Sequence, residues 1–266
     1  MILAVLIGLI ACESAAKKDA DTDSREVAFT MVQYNVGVFS KYTESGISAI
    51  AGAVKEMAAD VVTLNELDSC TSRTGNVYQL EAFASAMGKW TYHYASAMPY
   101  KGGAYGVGVA SRPDWKIIRT DKVILPKFDG NEPRALAVVE YEDFVICATH
   151  LDLTEQAQLG QVASINNYIN THYAFCKKPI FLGGDFNCIP NSKPIAYLRQ
   201  SWTLLTPKTE TYPSDAPKKS IDFIFVKKNG NEVVVEETSV PRNLNTVDLA
   251  TASDHLPVVL KVKINR

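Results

Sequence analysis

The sequence predicts an α/β layered sandwich, with mixed sheets inside and helices outside. Two observations carry this reading. Apolar segments of strand length alternate with segments of helical period. Several of the strands are joined by short turns, which only antiparallel neighbours allow. Of the 266 residues, 47% are hydrophobic and 21% charged, enough apolar material for a two-layer or thicker core.

The elements follow in order. "VAFTMVQYNV" alternates as a strand whose end falls at Asn35. Residues 44–59 place Ile47, Ile50, Val54 and Met57 at spacings of three and four, one face of a helix. "DVVTLNEL" is a second buried strand, ending near Glu66. "VYQLEAFASAMG" is a helix with Leu80, Phe83 and Met87 inward, stopped by Gly88. "WTYHYASAM" and "YGVGVASR" pair around the glycines of "YKGGAYG". "ALAVVEYEDFVICATHLD" is a hairpin turning near Glu142 and Asp143. A helix over 154–171 precedes the strand that opens "PIFLGGDFNCIP". A short helix over 193–199 and a proline-bearing loop follow, then two final strands, "SIDFIFVKK" and "HLPVVLKVKI". With no internal repeat and no linker after residue 30, residues 27–266 read as one domain.

The N-terminus reads differently. "MILAVLIGLIAC", residues 1–12, is too short for a stable bilayer span but suits the core of a signal peptide. "LIAC" is similar to the lipobox of bacterial lipoproteins, in which the cysteine, here Cys12, is lipidated. The chain departs from that pattern in having no Lys or Arg ahead of the apolar run. Residues 13–26, "ESAAKKDADTDSRE", lack apolar periodicity and read as a flexible tether. Together these predict a cell-envelope protein, lipid-anchored or secreted after signal cleavage. The first 26 residues carry five acids and three bases, leaving 24 of each in the rest, so the domain lacks the basic excess of a bulk polyanion binder. Cys147 reads as a small buried hydrophobe. Cys70, Cys176 and Cys188 could supply one disulfide, and spacing does not choose the pair.

Polar groups recur where the core strands end: Asn35, Glu66, His150, Asp185 with Asn187, Asp222, and Asp254 with His255. Each alone has an ordinary reading as a turn former or cap. His93 and His172 keep that reading. Strands of one sheet, however, bring their ends to a shared rim. Four carboxylates, two amides and two imidazoles without a thiolate make a hard, oxygen-rich site, suited to Mg²⁺ or Mn²⁺ and a substrate phosphate. An Asp beside a phosphorus can deprotonate a water for in-line attack.

The ordered run "QYNV … LNELD … GVGVASR … ATHLD … GGDFN … IDFIFV … SDHLPV", over residues 29–263, resembles the endonuclease/exonuclease/phosphatase superfamily. That resemblance implies a four-layer sandwich of two packed mixed sheets flanked by helices. It implies a metal at Glu66 with Asn35 beside it and Asp254 nearby, although the family often has Gln where this chain has Asn65. It makes Asp185 the residue that orients or deprotonates the attacking water, with Asn187 its phosphate-contacting partner. His255 would contact the scissile phosphate, oriented by Asp222. His150 would be a second phosphate-side imidazole and Arg134 a phosphate-facing cation.

The expected activity is therefore Mg²⁺- or Mn²⁺-dependent hydrolysis of a phosphate ester, with a phosphodiester preferred, on a lipid head group, sugar phosphate or nucleotide. His150 points towards deoxyribonuclease-like or sphingomyelinase-like relatives rather than abasic-site repair enzymes. An exported nuclease is the alternative. A catalytically dead binding module is a third, disfavoured because every chemical position is filled. The membrane is a partner through the N-terminal lipid, and no obligate protein partner is indicated. The anchor has its own test. Labelling with a palmitate analogue is expected to mark the wild type and not Cys12→Ala; equal labelling of both, or of neither, contradicts it.

Overall fold

The structure is a computed structural model that describes residues 26–39 and 46–265. The segment read as a signal peptide, Cys12 and nearly all of the segment read as a tether lie outside the described residues. The elements are β1 (Glu26–Asn35), α1 (Gly46–Glu56), β2 (Val61–Ser69), α2 (Gln79–Ala86), β3 (Thr91–Tyr100), β4 (Gly103–Ser111), β5 (Ile117–Leu125) and β6 (Arg134–Tyr141). They continue with β7 (Val145–His150), α3 (Glu155–His172), β8 (Ile180–Asp185), α4 (Lys193–Ser201), β9 (Trp202–Leu204), β10 (Asp222–Lys227), β11 (Val233–Ser239), α5 (Leu249–Ala252) and β12 (Val258–Asn265).

Two six-stranded sheets form, ordered β11-β12-β1-β2-β4-β3 and β5-β6-β7-β8-β10-β9. Each is mixed: β1 and β2 run parallel, as do β7 and β8, and their other neighbours are antiparallel. Period-two alternation sorts the side chains into layers. Phe29, Met31, Val61, Ile146, Phe181, Ile224 and Leu260 fill the seam between the sheets. The opposite face of the first sheet packs Val32, Tyr34, Val62 and Leu64 against Ile50 and Val54 of α1 and Leu80 and Phe83 of α2. That of the second packs Cys147, Leu182, Phe223 and Phe225 against Val162, Ile165 and Ile169 of α3 and Ile195 and Leu198 of α4. This is the expected helix–sheet–sheet–helix sandwich.

Three strands, β5, β9 and β11, escape the sequence reading, and they share a cause. Each is at or beside a sheet margin: β5, β9 and β11 end their sheets. Strand β11 is mostly exposed, and in β5 only Leu125 is fully buried. Edge strands carry polar residues and short lengths that blur the apolar signal. The four-residue α5 is likewise too short to show a period. The final strands are thus three, β10, β11 and β12. Strand β2 runs on past Glu66, through a bulge between Leu64 and Leu67. The described cysteines are unpaired; Cys147 is buried as expected, and Cys188 is buried too. His93 bonds the Asp121 carbonyl and His172 is exposed, matching their ordinary reading. Among the described residues no helix is long and apolar enough to cross a membrane.

The two glycines of "GGDFN" mark two close approaches of β8, Gly183 to the opposite sheet and Gly184 to β7 beside it. A Cβ on Gly183 would lie 2.3 Å from Thr63 Oγ1, and one on Gly184 would lie 2.4 Å from the Thr149 carbonyl oxygen. The second obstacle is backbone and cannot rotate away, so only glycine lets β8 sit this tightly against its neighbour.

Candidate active site

The site begins as a change of character along the inner faces of the strands. On β1 the seam-facing residues run Phe29, Met31, Gln33, Asn35; on β2 they run Val61, Thr63, Asn65. On β8 they run Phe181, Gly183, Asp185, and β10, antiparallel to it, runs back from Val226 through Ile224 to Asp222. Register then fixes the rim. Asn35 lies opposite Asn65, His150 opposite Asp185, and Asp185 opposite Asp222. One end of the seam is therefore polar and fully buried, and its groups must satisfy one another.

They do so across the seam. Asn65 Nδ2 donates to the Thr149 carbonyl at 2.7 Å, and Asn65 Oδ1 accepts the Asp185 backbone N–H at 3.0 Å and Gln33 Nε2. Thr63 Oγ1 donates to Gln33 Oε1 at 2.7 Å. Asn65 thus ties the two sheets together beneath the site.

Asp185 sits at the centre, 1% exposed. Its Oδ1 accepts the Asn187 N–H at 2.8 Å and its Oδ2 accepts Asn35 Nδ2 at 3.0 Å. Asn187 adopts a left-handed φ of 49°, a conformation its short polar side chain tolerates. Its amide then reaches back to His150 Nε2 at 2.9 Å and the Leu151 carbonyl at 2.9 Å. Glu66 also has a left-handed φ, 56°, at the β2 bulge. Such strain in a glutamate is held only by surrounding structure, and bulges re-aim side chains. Here it aims Glu66 at the rim, where Asn35 Nδ2 donates to Oε1 at 3.2 Å. Asn35 Oδ1 accepts the Gly37 N–H, so Asn35 presents its nitrogen, not its oxygen, to the centre. It enters as a donor that positions Glu66 and Asp185.

His255 Nδ1 lies 2.8 Å from Asp222 Oδ2, which also accepts Thr211 Oγ1 at 2.6 Å. Burial alone pushes the His255 pKa down, but the Asp222 and Asp185 carboxylates outweigh it and hold the pKa up at about 10. Asp185 is raised to about 7, by burial and by repulsion from Asp222, against the opposing pull of His255 and its own hydrogen bonds. His150 goes the other way: burial, then Arg134 and His255, hold it well below the ordinary range, so it is neutral. Its Nε2 accepts the Asn187 amide. Arg134 opens β6, is 4% exposed, pairs with Glu132 at 2.9 Å, and leaves its Nε without a hydrogen-bond partner.

These groups floor an open cleft of about 480 Å³. Glu66, Arg134, His150, Asp185, Asn187, Asp254 and His255 all line it, while Asn35 and Asp222 are buried behind. The structure thus brings together every residue that the sequence selects for the rim. Sequence reasoning missed Tyr105, Glu132, Leu153, Tyr212 and Lys219, which form the walls. They come from loops or from strands read only for their apolar pattern, where no motif flags them. Asp185, Asp222 and His255 also form a cluster suited to holding a metal ion, with one ligand atom from each within 4.8 Å of the others. This set differs from the Glu66-centred one that the resemblance implies.

The sequence profile of the Endonuclease/Exonuclease/phosphatase family matches residues 32–255, which spans the whole rim. The chain belongs to this family, whose fold is that of metal-dependent phosphoesterases. Among solved structures, it is similar to a family member from Bacteroides thetaiotaomicron, with a TM-score of 0.73 and 16% identity over 90% of this chain and 96% of that one. It is also similar to a mannosyl-6-phosphatase from the same organism (TM-score 0.72, 16% identity, 88% and 99% covered). The human Nocturnin catalytic domain with bound sulfate gives 0.69 at 16% identity, with 91% and 97% covered. At these identities the likeness concerns the fold. Comparison with curated protein sequences returns no match.

The charge pattern has a direct readout. By NMR, His255 is expected to stay protonated up to about pH 10, and His150 to be neutral at pH 6. Asp222→Asn removes the largest force raising His255, so its titration moves to lower pH. An unchanged His255 titration in that variant contradicts the assignment.

Proposed function

We propose that this protein hydrolyses a phosphodiester by in-line attack of water on phosphorus. The observation that carries the reading is the opposed charge of two buried neighbours: a carboxylate raised into the neutral range beside an imidazolium held by Asp222. Asp185 takes a proton from the attacking water as its oxygen bonds to phosphorus. The bond from phosphorus to the leaving oxygen breaks, and that oxygen acquires a proton. His255 and Arg134 donate to the phosphate oxygens, where negative charge gathers, while the two amide N–H groups of Asn187 serve His150 and the Leu151 carbonyl. Neutral His150 is held by Asn187 and presents its ring to the same space. Asn35 keeps Asp185 and Glu66 in place.

The donor set fits a hard divalent cation. Glu66 is half-buried and opens to the cleft, Asp254 lines the same cleft, and neither thiol nor thioether joins them. Glu66 and Asp254 would hold Mg²⁺ or Mn²⁺, which when bound supplies positive charge against the phosphate. Within the alternative cluster, Asp222 Oδ2 already accepts Thr211 Oγ1 and pairs with His255 Nδ1, so a cation there would have to break both bonds. The envelope location and lipid anchor are part of the proposal and rest on the "LIAC" segment alone.

A panel of a generic phosphodiester, a phosphomonoester, plasmid DNA, sphingomyelin and inositol phosphates tests the reading with Mg²⁺, Mn²⁺ and EDTA. Diester turnover is expected with metal and not in excess EDTA. Glu66→Gln should lower metal affinity and rate together. Asp185→Asn should lower kcat by about 10²–10⁴, with KM changed less. Undiminished activity in EDTA, or Asp185→Asn retaining a tenth of the wild-type kcat, would falsify the mechanism.

A further inference from the structure

The cations of the cleft are not equivalent. Arg134 is paired with Glu132, and His255 with Asp222. Lys219 also lines the cleft, and among the described residues no carboxylate forms an ion pair with it. A lysine on a floppy loop would mean little, but the backbone of this one is held in place. Its N–H donates to the Tyr212 carbonyl at 2.9 Å, and its carbonyl accepts the Thr211 and Tyr212 N–H groups at 2.8 and 3.0 Å. Tyr212 in turn packs its ring 4.9 Å, centroid to centroid, from that of His255. A two-residue bridge therefore holds the lysine backbone beside the imidazole that meets the reacting phosphate.

The rest of the cleft is rich in acid: Glu66, Glu132, Asp185 and Asp254 line it. Such a lining repels a substrate with extra negative charge unless a cation meets that charge. We infer that Lys219 is a specificity residue that receives a second anionic group, carried by the substrate beyond the scissile phosphate. The favoured substrate class is then a phosphoester whose non-reacting part bears its own phosphate or carboxylate. A neutral alcohol or choline-type head group gains nothing from Lys219. The inference rests on the phosphoesterase reading and narrows its substrate. Lys219 is exposed, so its effect is that of a charge in a partly solvated cleft, screened by salt.

Two chromogenic probes test it: the p-nitrophenyl ester of thymidine 5′-phosphate, with one negative charge, and the same ester carrying a 3′-phosphate. Turnover of the first by the wild type tests the phosphoesterase reading by itself. The ratio of kcat/KM between the probes tests Lys219. The wild type is expected to favour the 3′-phosphorylated probe by about fivefold or more, mainly through KM, because this contact exists before the transition state. Lys219→Gln should erase that preference while changing kcat/KM on the singly charged probe less than twofold. Lys219→Arg should keep the preference, and 0.5 M salt should shrink it. The inference is overturned if the wild type hydrolyses the first probe without favouring the second. It is equally overturned if Lys219→Gln lowers both probes by one factor, which would place the lysine on the reacting phosphate.

Discussion

Everything at the rim hangs on one side chain spanning the seam. Asn65 leaves the first sheet, accepts the backbone N–H of Asp185 and donates to the carbonyl of Thr149, both in the second. These two bonds fix the ends of β7 and β8 relative to β2. His150 and Asp185 follow from the first pair of ends, and Glu66 follows from the bulge directly after Asn65. The contact is possible because the sheets approach to a distance that Gly183, with no Cβ to meet Thr63 and Met31, permits. A buried amide that lost either partner would leave an unsatisfied group costing about 1–3 kcal/mol, so the arrangement is held by the expense of breaking it. The family's usual Gln is one methylene longer. The Asn is served here by Gln33 and Thr63, which complete the cross-seam chain from below.

On that frame the electrostatics are set by Asp222. It contributes nothing to the cleft wall itself, being buried behind His255. Yet its charge raises His255 and Asp185 together, so one becomes a cation and the other a base matched to neutral pH. His150, two strands away, lies 3.5 Å from Asp185 Oδ2, yet burial, Arg134 and His255 keep it neutral. Two imidazoles at one rim thereby take different protonation states from their neighbours alone. The cleft walls then add discrimination without entering the chemistry: Lys219 for charge, Tyr105, Leu153 and Tyr212 for shape.

Much of this was legible in the sequence, for physical reasons that also mark the limits. Central strands announce themselves because they are apolar on both faces, which is how the β1, β2, β7, β8 and β10 ends could be found. The rim residues stood out as polar groups terminating such runs. Edge strands β5 and β11 did not, since half of each faces solvent. Gln33, Thr63 and Asn65 carried a signal that went unread: they occupy the seam-facing phase of β1 and β2, where the preceding residues Phe29, Met31 and Val61 are apolar. A polar run in a core phase marks the approach to a site. Asn35 was legible in position but not in orientation, because which end of an amide faces the centre depends on the Gly37 N–H behind it. Lys219 was not legible, as its place depends on a bridge between two loop segments.

The account centres the metal on Glu66 and leaves Asp185, Asp222 and His255 as base, orienting carboxylate and cation. A crystal structure of the full chain with Mn²⁺ and inorganic phosphate tests this most directly. The anomalous manganese signal is expected beside Glu66 and Asp254, with phosphate bonded to Arg134 and His255. Manganese seated among Asp185, Asp222 and His255, with the His255–Asp222 hydrogen bond broken, would contradict it.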